Sequence, residues 1–227
     1  MELRDALRTT GSIRRFTDQP VSDALLEAIL DDARFAPSGG NRQAWRVIVV
    51  KDPTIRRAVA DAYLDAWHDY VAQLMAGLIP YSPLASEADR AAAGERRGAA
   101  EAASRPEGFP ESLAEVPAML VVLADLRVLA ATDRDLDRYQ FVGGASIYPF
   151  VWSVLLAAHE RGVGGVITTV AIAKEAALRD VLTIPEHFAV ASVVALGFPA
   201  SRHTKLTRRP VEAFTTIDRL DGTAFFS

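Results

Sequence analysis

Three short apolar runs, set far apart in a chain of 227 residues, constrain the fold of this protein more than any other feature. They read VIVV at 47–50, PAMLVVLAD at 117–125 and FAVASVVAL at 188–196. Runs of this length are typical of buried strands and are far too short to span a bilayer. Most of the sequence between them has helical spacing. The pattern therefore predicts an α+β domain in which a few short hydrophobic strands are covered by longer helices.

Composition narrows the class of protein further. Half of the residues are hydrophobic, which excludes a disordered chain and allows one domain over residues 1–227. The formal net charge is only -4 and no basic stripe is present, so we expect no nucleic-acid partner. The chain has no cysteine, which excludes disulfides and thiolate catalysis and fits a cytoplasmic location. The first residues, MELRDALRTT, lack the apolar centre of a secretory leader, and no membrane segment is expected.

Capping residues and prolines place the predicted helices. Ser22 is an expected N-cap, the pair Asp52-Pro53 an expected helix start, and Gly162 an expected C-cap. The predicted helices cover residues 2–9, a segment after Ser22, a segment after Asp52, residues 135–161 with a kink at Pro149, and residues 173–182. Residues 166–170 are expected to form a strand or an extended loop.

The stretch 67–112 differs from the rest in character. It is rich in Ala, Glu and Arg, and Pro80, Pro83, Pro106 and Pro110 divide it into pieces. We interpret it as a helical excursion from the single domain, with the role of a substrate lid.

Several common catalytic arrangements are missing from the sequence. No two of the four histidines have metal-ligand spacing, and there is no HExxH motif, no GxSxG nucleophile elbow and no Walker A loop. The glycine-rich run at 162–165 follows a helix instead of opening one, so it is not a dinucleotide fingerprint. We therefore expect no metal site and no catalytic side chain. The four histidines are His68, His159, His187 and His203.

Four polar segments remain as candidates for an anion site or an amide-donor site. At 12–16 a hydroxyl and two adjacent guanidiniums suit a phosphate, although alone they fit a solvated basic pair. The loop 37–43 has two glycines that let backbone approach a planar ligand, or it is an ordinary helix-to-strand loop. The segment 164–169 offers glycine amides and two threonine hydroxyls, or simply caps a helix before a strand. The basic cluster at 205–209 is either a ligand or solvated.

The order of these segments resembles the nitroreductase family. The opening stretch of that family stands here as TGSIRRFTDQPV, and its A-P-S-x-x-N-x-Q-x-W loop as APSGGNRQAW. The segments RGVGGVITT, LTIPEHF, ALGFP and RRPVE follow in the order of the family. The resemblance covers residues 10–213 apart from 67–112. It implies a nitroreductase-like fold, with a mixed, mostly antiparallel sheet flanked by helices, in an intertwined homodimer.

The resemblance also implies that FMN binds at the subunit interface. Contacts to the phosphate and the ribityl chain are implied for Ser12, Arg14 and, beside them, Arg15. Contacts along the isoalloxazine are implied for Pro37, Ser38, Gly39 and Asn41, with Gln43 as a further polar group. Contacts near the flavin N5 edge are implied for Gly165, Thr168 and Thr169, and a C-terminal phosphate contact for Arg208.

Two positions depart from the pattern of the family. Thr10-Gly11 stands where the family often has two arginines, so one phosphate ligand is lost or replaced by Arg15. Ala44 stands where the family has a proline after Gln43. The Ile-Thr-Thr segment at 167–169 is more similar to the iodotyrosine-deiodinase and flavin-fragmenting branches than to the bacterial nitro-reducing branch.

The implied activity is hydride transfer from NAD(P)H, through flavin N5, to a small organic acceptor such as a nitroaromatic compound or a quinone. Reductive dehalogenation, flavin fragmentation, flavin storage without turnover and a deazaflavin cofactor stay open as alternatives. Within the excursion, Trp67, Tyr70 and Tyr81 are candidates to stack on a planar acceptor, or else they only pin the excursion to the core. The excursion has no lysine, which ranks iodotyrosine chemistry below nitro or quinone reduction.

Overall fold

A computed structural model of the protein describes residues 1–202 and 205–226, so His203 lies outside the described residues. Within these ranges four strands form one sheet, and seven α-helices surround it. The strands are β1 (Trp45–Val50), β2 (Ala118–Asp125), β3 (Gly164–Thr168) and β4 (Phe188–Gly197). The helices are α1 (Leu3–Thr9), α2 (Asp23–Ala33), α3 (Pro53–Met75), α4 (Glu87–Gly94), α5 (Arg97–Ala102), α6 (Tyr148–Glu160) and α7 (Glu175–Leu182).

The sheet has the order β1-β2-β4-β3, and each neighbouring pair is antiparallel. A parallel bridge from Ser12 to Gly165 adds the N-terminal segment beside β3. The predicted α+β class and the mostly antiparallel sheet are confirmed. No helix within the described ranges is long and apolar enough to cross a membrane.

The two central strands are buried on both faces, which explains why they read as continuous apolar runs. Along β2, the residues Leu120 and Val122 face a core shared with α2 and α6. The alternate residues Met119 and Val121 face a second core shared with α3 and α7. This alternation follows from the two-residue period of a strand, and it fixes the sheet between two helical layers.

The two N-terminal caps predicted from sequence form as expected, whereas the C-cap of α6 is Arg161 and the predicted Gly162 follows it with φ 79°. The Ser22 hydroxyl accepts a hydrogen bond from the Leu25 amide at 3.2 Å and starts α2. The Asp52 carboxylate accepts from the amides of Thr54 and Ile55 and starts α3, with Pro53 in its first turn.

The predicted helix over 135–161 is wrong in its first half. Residues 126–147 form turns and a 3₁₀ segment at Val142–Ser146, and α6 begins only at Tyr148. The cause is Asp133, a buried carboxylate whose Oδ2 accepts from the amides of Phe141 (2.9 Å) and Val142 (3.2 Å) and from Arg138 (3.0 Å). These bonds close a loop where a helix was expected. Pro149 lies in the first turn of α6, where proline is favoured, and makes no kink.

About half of residues 67–112 are helical, and α4 and α5 pack on α3. Their first part continues α3 to Met75, and α4 and α5 follow after a turn. Arg97 of α5 ties the excursion to α3 through ion pairs of 2.5 Å with both Asp65 and Asp69. Lys174, which comes from the segment after β3, pairs with the same two carboxylates at 2.8 and 3.0 Å. The hydrogen bond from Lys174, with that from Arg97, lowers the pKa of Asp65.

Candidate functional site

The N-terminal basic segment lies directly beside β3. The Ile13 amide donates to the Gly165 carbonyl at 2.8 Å, and a second bridge joins Phe16 to Pro199. Ile13 is buried, while Ser12, Arg14 and Arg15 are exposed. Two of the four candidate segments, 12–16 and 164–169, therefore meet in one place although about 150 residues separate them.

The glycines of β3 have a packing role at this junction. A Cβ at Gly164 would lie 2.7 Å from the Ile13 side chain, and a Cβ at Gly165 would lie 2.5 Å from Leu196. Only glycine allows the N-terminal segment and β4 to approach β3 this closely. The run Gly164-Gly165 is thus explained by backbone packing, in addition to any contact with a ligand.

Tyr63 completes this part of the site and was not predicted from sequence. It is 3% exposed on α3. Burial raises the pKa of Tyr63, while the Thr168 hydroxyl and, less strongly, the Arg14 charge oppose that shift. Tyr63 packs in the same buried core as Val166 of β3. A tyrosine at helical spacing among apolar residues looks like any core aromatic, so the sequence carried no signal for it.

A cleft of about 660 Å³ opens beside Arg14 and Arg15. Its opposite wall comes from the end of the excursion and includes Glu107, Phe109 and Ser112. The two guanidiniums are exposed, so their charge is available to an anion. The donor set, two guanidiniums and the Ser12 hydroxyl, suits a phosphate monoester.

The loop 37–43 is rigid because its own polar groups are bonded to each other. The Ser38 hydroxyl accepts from the Gln43 amide at 3.0 Å, and the Gln43 side chain donates to the Asn41 side chain at 3.2 Å. Gly40, Asn41 and Gln43 all have positive φ, at 61°, 54° and 49°. Non-glycine residues rarely hold this conformation, and such strain is concentrated at functional sites.

The amides of this loop are less available than the sequence suggested. The Gly39 amide donates to the Ser146 hydroxyl at 3.0 Å, and the Asn41 amide donates to the Ser38 carbonyl at 2.9 Å. What the loop presents to a ligand is its exposed surface, including Pro37 and the Asn41 side chain. Ser146, a second residue missed from sequence, holds the loop from the 3₁₀ segment before α6.

The loop 37–43 and the Ser12–Gly165 junction lie far apart within one chain. The loop leads into Trp45, which is level with Ala124 on β2 and Ala189 on β4, whereas Gly165 is level with Leu196 on β4. This offset is roughly 23 Å along the strands, and the edge strands β1 and β3 are about 14 Å apart. The buried strands β2 and β4 separate the two groups.

The predicted residues not yet described are Arg208 in the C-terminal segment and, at the end of β3, Thr168 and Thr169. Arg208 is exposed in the C-terminal segment and donates to the Thr207 carbonyl at 2.7 Å. Within the part of the chain that the structure describes, no hydrogen bond links Arg208 to the segment 12–16. Thr169 follows β3 and is exposed, whereas Thr168, the last residue of β3, is buried.

The aromatic residues of the excursion form a ladder. Trp67 stacks on Tyr70 with ring centroids 4.9 Å apart, and contacts continue to Tyr63 on one side and Tyr81 on the other. The Tyr81 hydroxyl donates to the Ala66 carbonyl at 2.9 Å. Burial, with the nearby Asp69 carboxylate, raises the pKa of Tyr81 to about 12, so this donor stays protonated at neutral pH. Through Tyr81, the ladder holds the turn after α3 against that helix.

Comparisons of the sequence and of the fold with known proteins agree with each other. A sequence model of the nitroreductase family matches residues 7–198. A protein named NADH dehydrogenase from Thermus thermophilus is 29% identical over 219 residues, which cover 93% of this chain and 94% of the relative. A 5,6-dimethylbenzimidazole synthase from Rhodospirillum rubrum is 25% identical, over 84% of this chain and 79% of that protein. The fold is similar to that of iodotyrosine deiodinase bound to FMN and 3-iodo-L-tyrosine, with a TM-score of 0.63, 19% identity and coverage of 92% and 96%.

Proposed function

Because the chain belongs to the nitroreductase family, we propose that it is an FMN-dependent oxidoreductase. Its reaction would pass hydride from NAD(P)H to a small organic acceptor such as a nitroaromatic compound or a quinone. The observation that carries the proposal is the junction between Ser12 and Gly165. It brings an exposed hydroxyl and two exposed guanidiniums to the edge of β3, beside a cleft of about 660 Å³.

The residues at this junction fit the phosphate end of FMN. Arg14 and Arg15 would neutralise the phosphate, and Ser12 would donate or accept a hydrogen bond beside them. Thr169 and the glycine backbone of β3 would border the ring. Bound FMN would supply reversible acceptance of hydride, and the protein would supply orientation and electrostatics. The buried Ile13, whose amide donates to the Gly165 carbonyl, holds the basic segment against β3.

A homodimer is part of the proposal because one chain supplies two half-sites. The loop 37–43 lies at the opposite edge and the opposite end of the sheet from the junction, so one FMN molecule cannot lie against both within a chain. In a twofold dimer, the loop of one subunit would meet the junction of the other, and two equivalent sites would result. The rigidity of the loop suits a surface that meets a planar ring across an interface.

The excursion 67–112 is proposed as a lid over the acceptor. The aromatic ladder of Trp67, Tyr70 and Tyr81 ends at Tyr63, which shares a buried core with Val166 of β3, and so leads from the lid toward the proposed cofactor site. Lys174 reaches the lid network from outside the excursion, which supplies the amine that the excursion itself lacks. Its charge is engaged by Asp65 and Asp69, so nitro or quinone reduction stays ahead of chemistry on an amino acid.

The test begins with the cofactor. The protein is purified, and the bound chromophore is identified by its absorption spectrum and mass, which separates FMN from a deazaflavin. NADH and NADPH are then added without oxygen, and the bleaching of the flavin is followed before a nitroarene or a quinone is supplied. Bleaching followed by reoxidation on addition of the acceptor is the expected result. A protein that purifies and reconstitutes without flavin would overturn the proposal.

The alternative reactions have distinct products. Halide release from a halogenated phenol would indicate reductive dehalogenation, the kind of chemistry suggested by the name of the deiodinase. Formation of dimethylbenzimidazole from oxygen and FMN that has been reduced by NAD(P)H would indicate flavin fragmentation. Flavin that stays bound with no steady-state oxidation of NAD(P)H would indicate storage.

A further inference from the structure

His159 is a buried histidine with both ring nitrogens engaged. It lies at the end of α6 and is 8% exposed. Its Nε2 is 2.8 Å from the Thr9 hydroxyl, at the end of α1. Its Nδ1 is 2.6 Å from a guanidinium nitrogen of Arg202, in the segment that follows β4. One imidazole therefore joins three separate parts of the chain.

The partners of the ring fix its tautomer. Arginine only donates hydrogen bonds, so Nδ1 must accept from Arg202 and the proton of a neutral ring must sit on Nε2. Nε2 then donates to the Thr9 hydroxyl, which donates onward to the Asp5 carbonyl at 2.7 Å. A proton on Nδ1 would remove the acceptor for Arg202 and place two cations in contact. The cluster is therefore intact only while His159 is neutral.

This cluster lies directly behind the Ser12–Gly165 junction. Together, His159 and Arg202 border a small cavity whose other walls include Thr10, Gly11 and Gly165. Arg202 also donates to the Gly162 carbonyl at 2.6 Å, in the turn that leads into β3. Thr9 precedes the basic segment by three residues. The cluster thus holds the residues that lead into both sides of the junction, those before Ser12 and those before Gly165.

We propose that His159 is a positioning residue for the phosphate end of the cofactor site. While it is neutral, His159 holds Thr9 and Arg202 and so keeps the basic segment 12–16 against β3. On protonation it releases Arg202, and that segment loosens. The part of this proposal that concerns the cofactor rests on the proposed function. The part that concerns the histidine itself does not.

The surroundings of His159 favour the neutral form of its ring. Burial, with the positive charge of Arg202, lowers the pKa of His159 from its usual value of 6.5. Because the pKa is lowered in the folded protein, the stabilisation by the neutral cluster is complete above pH 6.5 and is lost as the pH falls through the folded value. The other charged groups nearby are Asp5 and Arg8 on α1, and on α6 Glu160, paired with the amino group of Met1, and Arg161, paired with Asp32.

The first experiment needs no cofactor. The imidazole nitrogens of His159 are followed by NMR from pH 8 to pH 4.5 in the wild-type protein and in Arg202→Met, with Arg4→Met as an exposed control on α1. We expect the Nε2-protonated tautomer at neutral pH, a pKa below 6.5, and a rise of that pKa in Arg202→Met only. A ring protonated at neutral pH, or a pKa unmoved by Arg202→Met, would overturn the proposal.

The second experiment measures FMN affinity over the same pH range. A phosphate monoester also titrates near pH 6, so the informative quantity is the difference between wild type and His159→Asn. The asparagine oxygen can occupy the Nδ1 position and keep the contact with Arg202 without titrating. We expect wild type to lose affinity relative to His159→Asn by up to about tenfold per pH unit below the pKa of His159.

The outcomes separate the two proposals. Parallel pH profiles in wild type and His159→Asn would overturn the positioning role even if the NMR titration is as expected. Failure of every variant, including Arg4→Met, to bind FMN at any pH would overturn the proposed function, and the cofactor part of this inference with it. Arg202→Met should bind FMN more weakly than Arg4→Met at neutral pH, and equal affinities would count against the inference.

Discussion

Two arginines, Arg56 and Arg14, have different roles, one in holding the fold and one at the proposed site. The sequence around them does not distinguish these roles. The guanidinium of Arg56 lies partly buried and donates to the backbone carbonyls of Val50, Ala114 and Val116. These carbonyls belong to the end of β1 and the turn before β2, so Arg56 fastens α3 to both. Arg14, by contrast, is exposed at the edge of the proposed site.

We expect Arg56→Met to destabilise the protein without a specific effect on cofactor affinity. Leaving the three carbonyls unpaired should cost roughly 1–3 kcal/mol of the free energy of unfolding. Arg57→Met is the matched control, because its exposed ion pair with Glu115 should contribute less than about 1 kcal/mol. Thermal unfolding of both variants provides the measurement. Equal melting temperatures for the two variants would contradict the structural role of Arg56.

For Arg14 we expect the opposite pattern. Arg14→Ala should weaken FMN binding about tenfold to hundredfold, since a charge-assisted hydrogen bond contributes roughly 1.5–3 kcal/mol, and should leave the melting temperature of the apoprotein nearly unchanged. Arg208→Ala tests the C-terminal ligand in the same way. Arg4→Ala serves as an exposed control. If Arg208→Ala bound FMN normally, the C-terminal match to the family would not hold.

At the scale of residues, the sequence identified groups that offer chemistry and missed groups that hold them. Ser12, Arg14 and Gly165 stand in recognisable motifs. Tyr63 and Ser146 do not, because they pack against or bond to residues more than 100 positions away, Val166 and Gly39, that only the folded chain brings near. The spacing of neighbouring residues along the sequence does not reveal such contacts.

Among the elements, strands were predicted more securely than the segment before α6. The central strands are buried on both faces, so their apolar character is continuous and unambiguous. The region 135–147 has residues compatible with a helix, but the hydrogen bonds that the Phe141 and Val142 amides donate to Asp133 override that preference. A side chain that caps amides eight and nine residues ahead leaves no periodic trace in the sequence.

The excursion is the element whose proposed role is most directly testable. Replacing residues 86–105 with a short Gly-Ser linker should change KM and acceptor preference while flavin stays bound and the dimer stays intact, as expected of a lid. The melting temperature should fall, because the ties of Arg97 to Asp65 and Asp69 are lost.

Arg97→Met is the milder companion variant, since it breaks the same ties without shortening the chain. It should lower stability in the same direction and shift KM less than the deletion does. Loss of flavin in the deletion would show that the excursion builds the cofactor pocket, and the lid role would then be abandoned.

For the whole molecule, we expect a dimer in solution. Trp152 and Leu156 of α6 stay partly exposed although the helix is apolar on most sides, and Leu3 and Leu7 of α1 are 68% and 50% exposed. Light scattering should give twice the chain mass of 24.6 kDa. A stable monomer that still holds flavin would contradict both the dimer and the two-half-site arrangement.

The separation of the loop 37–43 from the Ser12–Gly165 junction has a consequence for mixtures of defective chains. If each site takes its junction from one subunit and its loop from the other, a chain carrying Arg14→Ala and a chain carrying Asn41→Ala can complement each other. Their mixed dimer would contain one site with both defects and one site with neither. Random reassortment of equal amounts should then restore about a quarter of the wild-type sites, although neither parent binds flavin well. Restoration would be absent if both groups served the same site from a single chain.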